Sequence, residues 1–302
     1  MARLFTAYLM VDWSAASKPA QGENSVWVGV MRRDARFRPT FEAHNPKTRK
    51  EAEALIQSTL EDLRRHNDRA LVGFDFPLGY PTGTAEALKL KTNDWKAMWD
   101  FLGAAVVDKK DNLNNRATVA ARMNRLISEG PRPFWGTPRA ADATTHLSKT
   151  KPADHTAGLP EFRHTERATR GKSKSGAKSV WQIHGQGSVG GQALLGVPAV
   201  RRLAQHFGER ARVWPFETGW KTLTTADLDG VDVVFAEVYP ALASVTPESG
   251  EAPDRAQVRT LCEQFARSDE RGELGKAFGP PKDVDPQTQA DVEREEGWIL
   301  GA

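Results

Sequence analysis

A single cysteine, Cys262, leaves no partner for an internal disulfide and rules out a cysteine-based zinc site. No apolar run approaches the ~20 residues that a membrane-spanning helix needs. The first apolar stretch ends in an acid and no small-residue cleavage site follows it, so we expect no signal peptide. The chain also lacks internal repeats, low-complexity tracts and heptad runs. These absences point to a cytoplasmic protein without a membrane partner. Charge of neither sign dominates: the net charge of +3 is mildly basic, compatible with a polyanionic partner but not diagnostic of one. With 302 residues, 39% of them hydrophobic, the chain can bury one large core or two smaller ones.

Three acids stand out, each ending an apolar run. Leu4 to Val11 leads into Asp12, Leu71 to Phe74 into Asp75, and Val231 to Ala236 into Glu237. A lone charge at the end of a buried strand is costly unless a cation or hydrogen bonds compensate it. Two readings follow. Each acid caps a nearby turn or joins an ion pair, or the three converge to hold Mg²⁺ or Mn²⁺, which favour carboxylate oxygens.

The pattern around these acids sets the coarse organisation. Residues 4–12, 25–31 and 37–42 read as strands, 48–65 as a helix with Ala52, Leu55, Ile56, Leu60 and Leu63 recurring at helical spacing, and 70–76 as a short buried strand. Helical patterns follow near 84–90, 94–107 and 115–129. A long polar stretch from Gly130 to Lys178 reads as a functional or disordered loop. A helix near 191–207, strands at 212–216 and 231–239, and a helix near 255–266 complete the pattern.

Two further segments suggest phosphate contact. Gly185 to Gly191 contains a GxGxxG spacing that opens a helix, where backbone N–H groups bind phosphate, with Glu217 a late candidate for a dinucleotide-fold acid. The alternative is a glycine turn that permits close helix packing. The preceding stretch, 163–178, is rich in Lys and Arg and mixed with Gly and Ser, as a mobile phosphate-contacting loop would be; a solvated surface loop is the rival reading. The candidate phosphate ligands are Arg122, Arg163, Arg167, Lys178, Gly187 and Ser188. His184 is a candidate acid/base or a structural histidine. Trp135, Trp181 and Trp214 are candidates for base stacking or for packing. Ser14 has no triad around it, and Cys262 falls on an apolar helix stripe.

Six strings spread over the chain carry a resemblance: VDWSAAS (11–17), GFDFPLGYP (73–81), PFWGTP (133–138), KSVWQIHGQGSVGGQALLG (178–196), EVYP (237–240) and EEGWILG (295–301). They resemble a bacterial domain-of-unknown-function family whose members are read as nucleases of the ribonuclease H-like fold. The resemblance implies an α/β protein with a mixed β-sheet flanked by helices. It would form one domain over 1–302, with 82–210 as an insertion carrying helices, the basic loop and the glycine turn. It puts the first-strand acid on Asp12 and the fourth-strand acid on Asp75. Glu237 stands as a third acid, and a fourth comes from a C-terminal helix, with Glu296, Asp291 and Asp254 as the options. The expectation is a metal-dependent phosphodiester hydrolase, a nuclease using Mg²⁺ or Mn²⁺ on nucleic acid or another phosphate-containing ligand. The rivals are a nucleotide-binding phosphotransferase of the actin-like ATPase and sugar kinase type, a non-catalytic nucleic-acid-binding module and, more distantly, a dinucleotide-dependent oxidoreductase.

Overall fold

A six-stranded mixed sheet carries the molecule, in the order β3-β2-β1-β4-β6-β5. The computed structural model describes residues 3–33, 38–137, 142–170, 172, 176–185 and 187–302. The strands are β1 (Ala7–Asp12), β2 (Trp27–Arg33), β3 (Pro39–His44), β4 (Ala70–Phe74), β5 (Ala211–Val213) and β6 (Val233–Glu237). β1, β2 and β3 form an antiparallel meander, whereas β4 runs parallel to β1, β6 parallel to β4, and β5 parallel to β6. β1, β4 and β6 lie at the centre, which is why their sequences are nearly unbroken apolar runs. The β-β-β-α-β opening matches the order expected from the sequence; Phe37, the expected start of the third strand, lies outside the described residues.

Side-chain alternation divides the core into two layers. Leu9, Val11, Val72, Phe74 and Phe235 face one side, against α1 (Arg49–Arg65) and α6 (Gly190–Phe207). Tyr8, Met10, Leu71, Val234 and Ala236 face the other, against Val258, Leu261, Cys262 and Phe265 of α7 (Pro253–Glu270). Thr48 caps α1 by accepting the Glu51 N–H at 3.2 Å, and the buried stripe Ala52, Ile56, Leu60 and Leu63 lies against the sheet. Truncating Ile56 to alanine there would cost about 2–5 kcal/mol. At the far end of α7, Asp269 accepts the Leu4 and Phe5 N–H groups and the Tyr8 hydroxyl, which fixes the helix to the start of β1.

Residues 82–210 lie between β4 and β5 and contribute α2 (Thr84–Ala87), α3 (Trp95–Ala105), α4 (Arg116–Ser128), α5 (His164–Thr169) and α6. The stretch 130–178 is not loop throughout, because α5 forms within it with Arg163, Thr165, Glu166 and Thr169 buried. The chain closes with α8 (Leu274–Ala277), α9 (Pro286–Asp291) and a π turn at Val292–Glu296. Among the described residues, no helix is long and apolar enough to cross a membrane.

Candidate active site

Asp12 and Asp75 meet because their strands are adjacent, parallel and in register. Val11 is opposite Phe74, so the next residue of each chain leaves the same sheet edge on the same face. Their carboxyls are hydrogen-bonded to each other. Asp75 Oδ1 also accepts the Trp13 N–H at 2.8 Å. Asp254 joins them from the first turn of α7; its Oδ2 accepts the Asn24 N–H at 2.8 Å. All three acids are half-buried.

The electrostatics are those of crowded like charges. Burial, then the Asp75 charge and the Asp254 charge, push Asp12 well up. Burial likewise pushes Asp75 up, to about 7, against the Trp13 N–H, its own N–H and the Asp12 bond, which favour its ionised form. Asp254 is raised by burial, with the Asn24 N–H opposing and the Glu23 charge adding. Asp75 has the backbone donors, so the shared proton rests on Asp12. Among the described residues, no three His, Cys, Asp or Glu side chains close on one point that could hold a metal ion. The donor chemistry nonetheless suits a hard cation: Mg²⁺ is commonly held by one or two carboxylates and keeps several waters.

Glu237 does not join this group, and the reason is register. It lies opposite Phe74, one position short of Asp75, and so faces the other side of the sheet. There it is buried and holds Arg163 through two bonds, Oε1 to Nη2 at 2.6 Å and Oε2 to Nη1 at 2.8 Å, and accepts the Leu78 N–H at 3.2 Å. Burial pushes its carboxyl up, and the Arg163 charge and bonds pull it back. Arg163 also bonds Glu166 Oε1 through Nε at 2.9 Å and the Glu296 carbonyl at 2.7 Å. The expectations of Glu237 as a metal ligand and Arg163 as a phosphate ligand are therefore corrected: each neutralises the other out of contact with water.

Glu296 is corrected in the same way. Its Oε1 accepts the Thr82 N–H at 3.0 Å and its Oε2 the His164 N–H at 2.6 Å, in a fully buried setting. Asp291 is held by His164 Nε2 at 3.2 Å, by Gln287 and by Arg294. Of the three C-terminal acids, only Asp254 stands beside Asp12 and Asp75. The 73–81, 237–240 and 295–301 strings converge around this buried network. Gly79 shows how tightly: a Cβ there would lie 2.3 Å from the Glu295 carbonyl oxygen.

The remaining candidates are dispersed. Arg122 is exposed on α4 and lies over the Phe101 ring at 5.3 Å. Arg167 donates to the Phe162 carbonyl at 2.7 Å and contacts His164 Nδ1. The basic stretch thus begins in an anchored helix, not a mobile loop; Gly171 and 173–175 lie outside the described residues. Lys178 lies along Gly187, where a Cβ would come within 3.6 Å of its Cγ and Cε. The Ser188 N–H donates to the Gly185 carbonyl at 3.0 Å, and Gln186 lies outside the described residues. Gly190 has a packing reason: a Cβ there would lie 2.1 Å from the Val180 carbonyl oxygen. His184 is exposed, with its carbonyl accepting Gln182 Nε2 at 3.1 Å. Trp181 and Trp214 are buried and closed to a base, and Trp135 is half-buried.

Sequence reasoning missed the groups that hold the loop after Asp12. Buried Arg49 pairs with Asp108 and donates through Nη1 to the Ser14 carbonyl at 3.0 Å and the Ala16 carbonyl at 2.6 Å. Asn112 Nδ2 donates to the Lys18 carbonyl at 3.0 Å, and Gln192 Nε2 to the Trp13 carbonyl. The only signal was an arginine at the start of an amphipathic helix, which ordinarily reads as solvated. No known protein family, curated protein or solved structure matches the chain.

Proposed function

We propose that the chain is a metal-dependent phosphodiester hydrolase, a nuclease built on a ribonuclease H-like sheet. The observation that carries this reading is the meeting of Asp12 and Asp75 at one edge of two parallel strands, with Asp254 beside them from a packed helix. The antiparallel β1-β2-β3 meander with β4 parallel to β1 supports the fold assignment. β6 and β5 lie beyond β4 in reverse chain order, an elaboration of that core.

Asp12 and Asp75 would hold Mg²⁺ or Mn²⁺ directly, and Asp254 would act through water or close in on binding. The chemistry a bound cation supplies is activation of a water and neutralisation of charge on the leaving oxygen. The chain's own contribution is positional. The Trp13 N–H orients Asp75, the Asn24 N–H orients Asp254, and the crowding of three acids is relieved only by a cation or by protons. Loss of the Asp12 proton is thus linked to metal entry.

The test is cleavage of single-stranded and double-stranded DNA, RNA and RNA–DNA hybrids with Mn²⁺ or Mg²⁺, together with calorimetric Mn²⁺ titration. Activity should need the cation and disappear in Asp12→Asn and Asp75→Asn. Absence of cation-dependent cleavage, with Mn²⁺ affinity unchanged in Asp12→Asn, would sink the proposal.

A further inference from the structure

Between the end of β1 and the start of β2, residues 13–26 form neither helix nor strand, yet the first half of this loop is held from three sides. Gln192 Nε2 donates to the Trp13 carbonyl from α6. Arg49 Nη1 donates to the Ser14 and Ala16 carbonyls from α1, at 3.0 and 2.6 Å, and Asn112 Nδ2 donates to the Lys18 carbonyl at 3.0 Å. Arg49 is at the centre of these contacts and is buried. Besides the two bonds to the loop, its Nε and Nη2 hold Asp108 at 2.7 and 2.6 Å, and Nη2 also reaches the Asn112 carbonyl at 3.0 Å. Every side-chain N–H that an arginine carries is therefore in use.

A buried ion pair is a weak source of stability, because apolar residues of similar volume often serve as well. α1 does not need this arginine for its own sake: Thr48 caps the helix, and Ala52, Ile56, Leu60 and Leu63 supply its apolar face. What an apolar residue could not do is hold two carbonyls two and four residues past Asp12. Between them and Asp12 stands Trp13, whose N–H donates to Asp75 at 2.8 Å. The Trp13 ring, buried against Phe74 and Phe76, fixes where the residue sits, and the clamped carbonyls fix how its peptide planes are turned.

We infer that Arg49 is a positioning residue for the acidic site: by holding the Ser14 and Ala16 carbonyls it keeps the Trp13 N–H on Asp75, and so presents the Asp12–Asp75 pair to a divalent cation in one arrangement. The inference rests on the hydrolase reading for the cation alone; the hold on Trp13 is independent of it. Lysine cannot take over the task. Its ammonium has three donors and no planar fork, too few for Asp108 and three carbonyls.

The test compares two variants with wild type. Arg49→Lys keeps a charge opposite Asp108 and loses the fork. Arg49→Met combined with Asp108→Leu replaces the whole pair by apolar volume, so that no charge is stranded in the core. Amide hydrogen exchange, read by NMR in EDTA, should show the Trp13 N–H exchanging about tenfold faster in both, with the amides of Leu9 and Val72 in the adjoining strands unchanged. Mn²⁺ affinity, read by calorimetry, should fall roughly tenfold, the lower end of what outer partners of metal ligands contribute. Ile56→Val, a modest truncation on the same helix, is the control and should leave both readouts as in wild type. Arg49→Lys keeps the test valid if the double variant melts early. Wild-type exchange at Trp13 in the variants overturns the inference, and so does an acceleration shared equally by Trp13 and the strands, since Arg49 is then only a packing residue. A Trp13 amide that opens while Mn²⁺ binds as tightly as before overturns its link to the site. Arg49-dependent protection of Trp13 in a protein that neither binds Mn²⁺ nor cuts nucleic acid leaves the positioning standing and removes the hydrolase.

Discussion

Asp75→Asn should make the metal-free protein more stable at alkaline pH while abolishing the proposed activity. In the fold the Asp75 carboxyl rises from 3.8 to about 7, chiefly through burial. A carboxyl that binds its proton more tightly when folded favours the fold at low pH, and that advantage is lost as pH climbs from about 4 through about 7. The rise corresponds to roughly 4 kcal/mol at ~1.4 kcal/mol per tenfold change in proton affinity. Partial access to water trims this to about 2–4 kcal/mol. Asparagine keeps an oxygen for the Trp13 N–H but has no proton to lose. For 302 residues at ~2.1 cal/mol/K of unfolding entropy each, the variant should melt about 3–6 °C above wild type near pH 8 in EDTA. Well below the unfolded value of 3.8, at about pH 2.5, the two should melt together, because wild-type Asp75 is then protonated in both states. Adding Mn²⁺ near pH 8 should raise wild type, by ~2.7 kcal/mol at a hundredfold excess over Kd, and leave the variant unmoved. Differential scanning calorimetry across the pH series reads all of this. Parallel melting curves for the two proteins from acid to alkaline pH would refute the idea that Asp75 is an electrostatically strained acid.

Arg163→Met should cost about 3–5 kcal/mol by stranding Glu237 and Glu166 in the core, with a smaller loss at acid pH, where Glu237, raised by burial, takes a proton; urea unfolding at two pH values measures it. Asp108→Ala should cost a similar ~3–5 kcal/mol by leaving the buried Arg49 charge without its carboxylate; urea unfolding measures it. Gly190→Ala, which would press a Cβ against the Val180 carbonyl oxygen, should destabilise by about 1–3 kcal/mol in thermal melts. Asp254→Asn should weaken Mn²⁺ binding less than Asp12→Asn does in calorimetry, and should leave the melting temperature near neutral pH unchanged or raised, since it removes a like charge from the pair.

The acid-ended strands were legible because a central parallel strand is an apolar run, and the residue that breaks it marks the sheet edge. Their common appearance was misleading for one of the three. Alternation means that a shift of one residue reverses the face, and register is a property of two strands that neither sequence contains. Asp12 and Asp75 both stand one residue past the Val11–Phe74 pair, whereas Glu237 stands level with it, and that offset separates the acidic site from a buried ion pair.

The basic stretch misled for a related reason. Lys and Arg in a polar segment normally read as solvated; Glu166 is a local partner three residues on, but nothing local tells Arg163 that Glu237 and the Glu296 carbonyl await it. Those two partners come from β6 and from the closing segment, so its burial is a long-range fact. The choice among Asp254, Asp291 and Glu296 has the same character. Glu296 lies in the closing segment and Asp254 at the start of α7, and only the packing of α7 across β1 and β2 brings the latter to Asp12. Once α7 is seated, the cost of three neighbouring acids becomes a property of the folded sheet edge and not of any one residue. A variant that removes any one of the three should therefore relax the other two. That makes Asp12, Asp75 and Asp254 separable by experiment from Glu237 and Glu296, whose removal would cost the buried Arg163 one of its two carboxylates or leave buried backbone donors unpaired, and should lower stability.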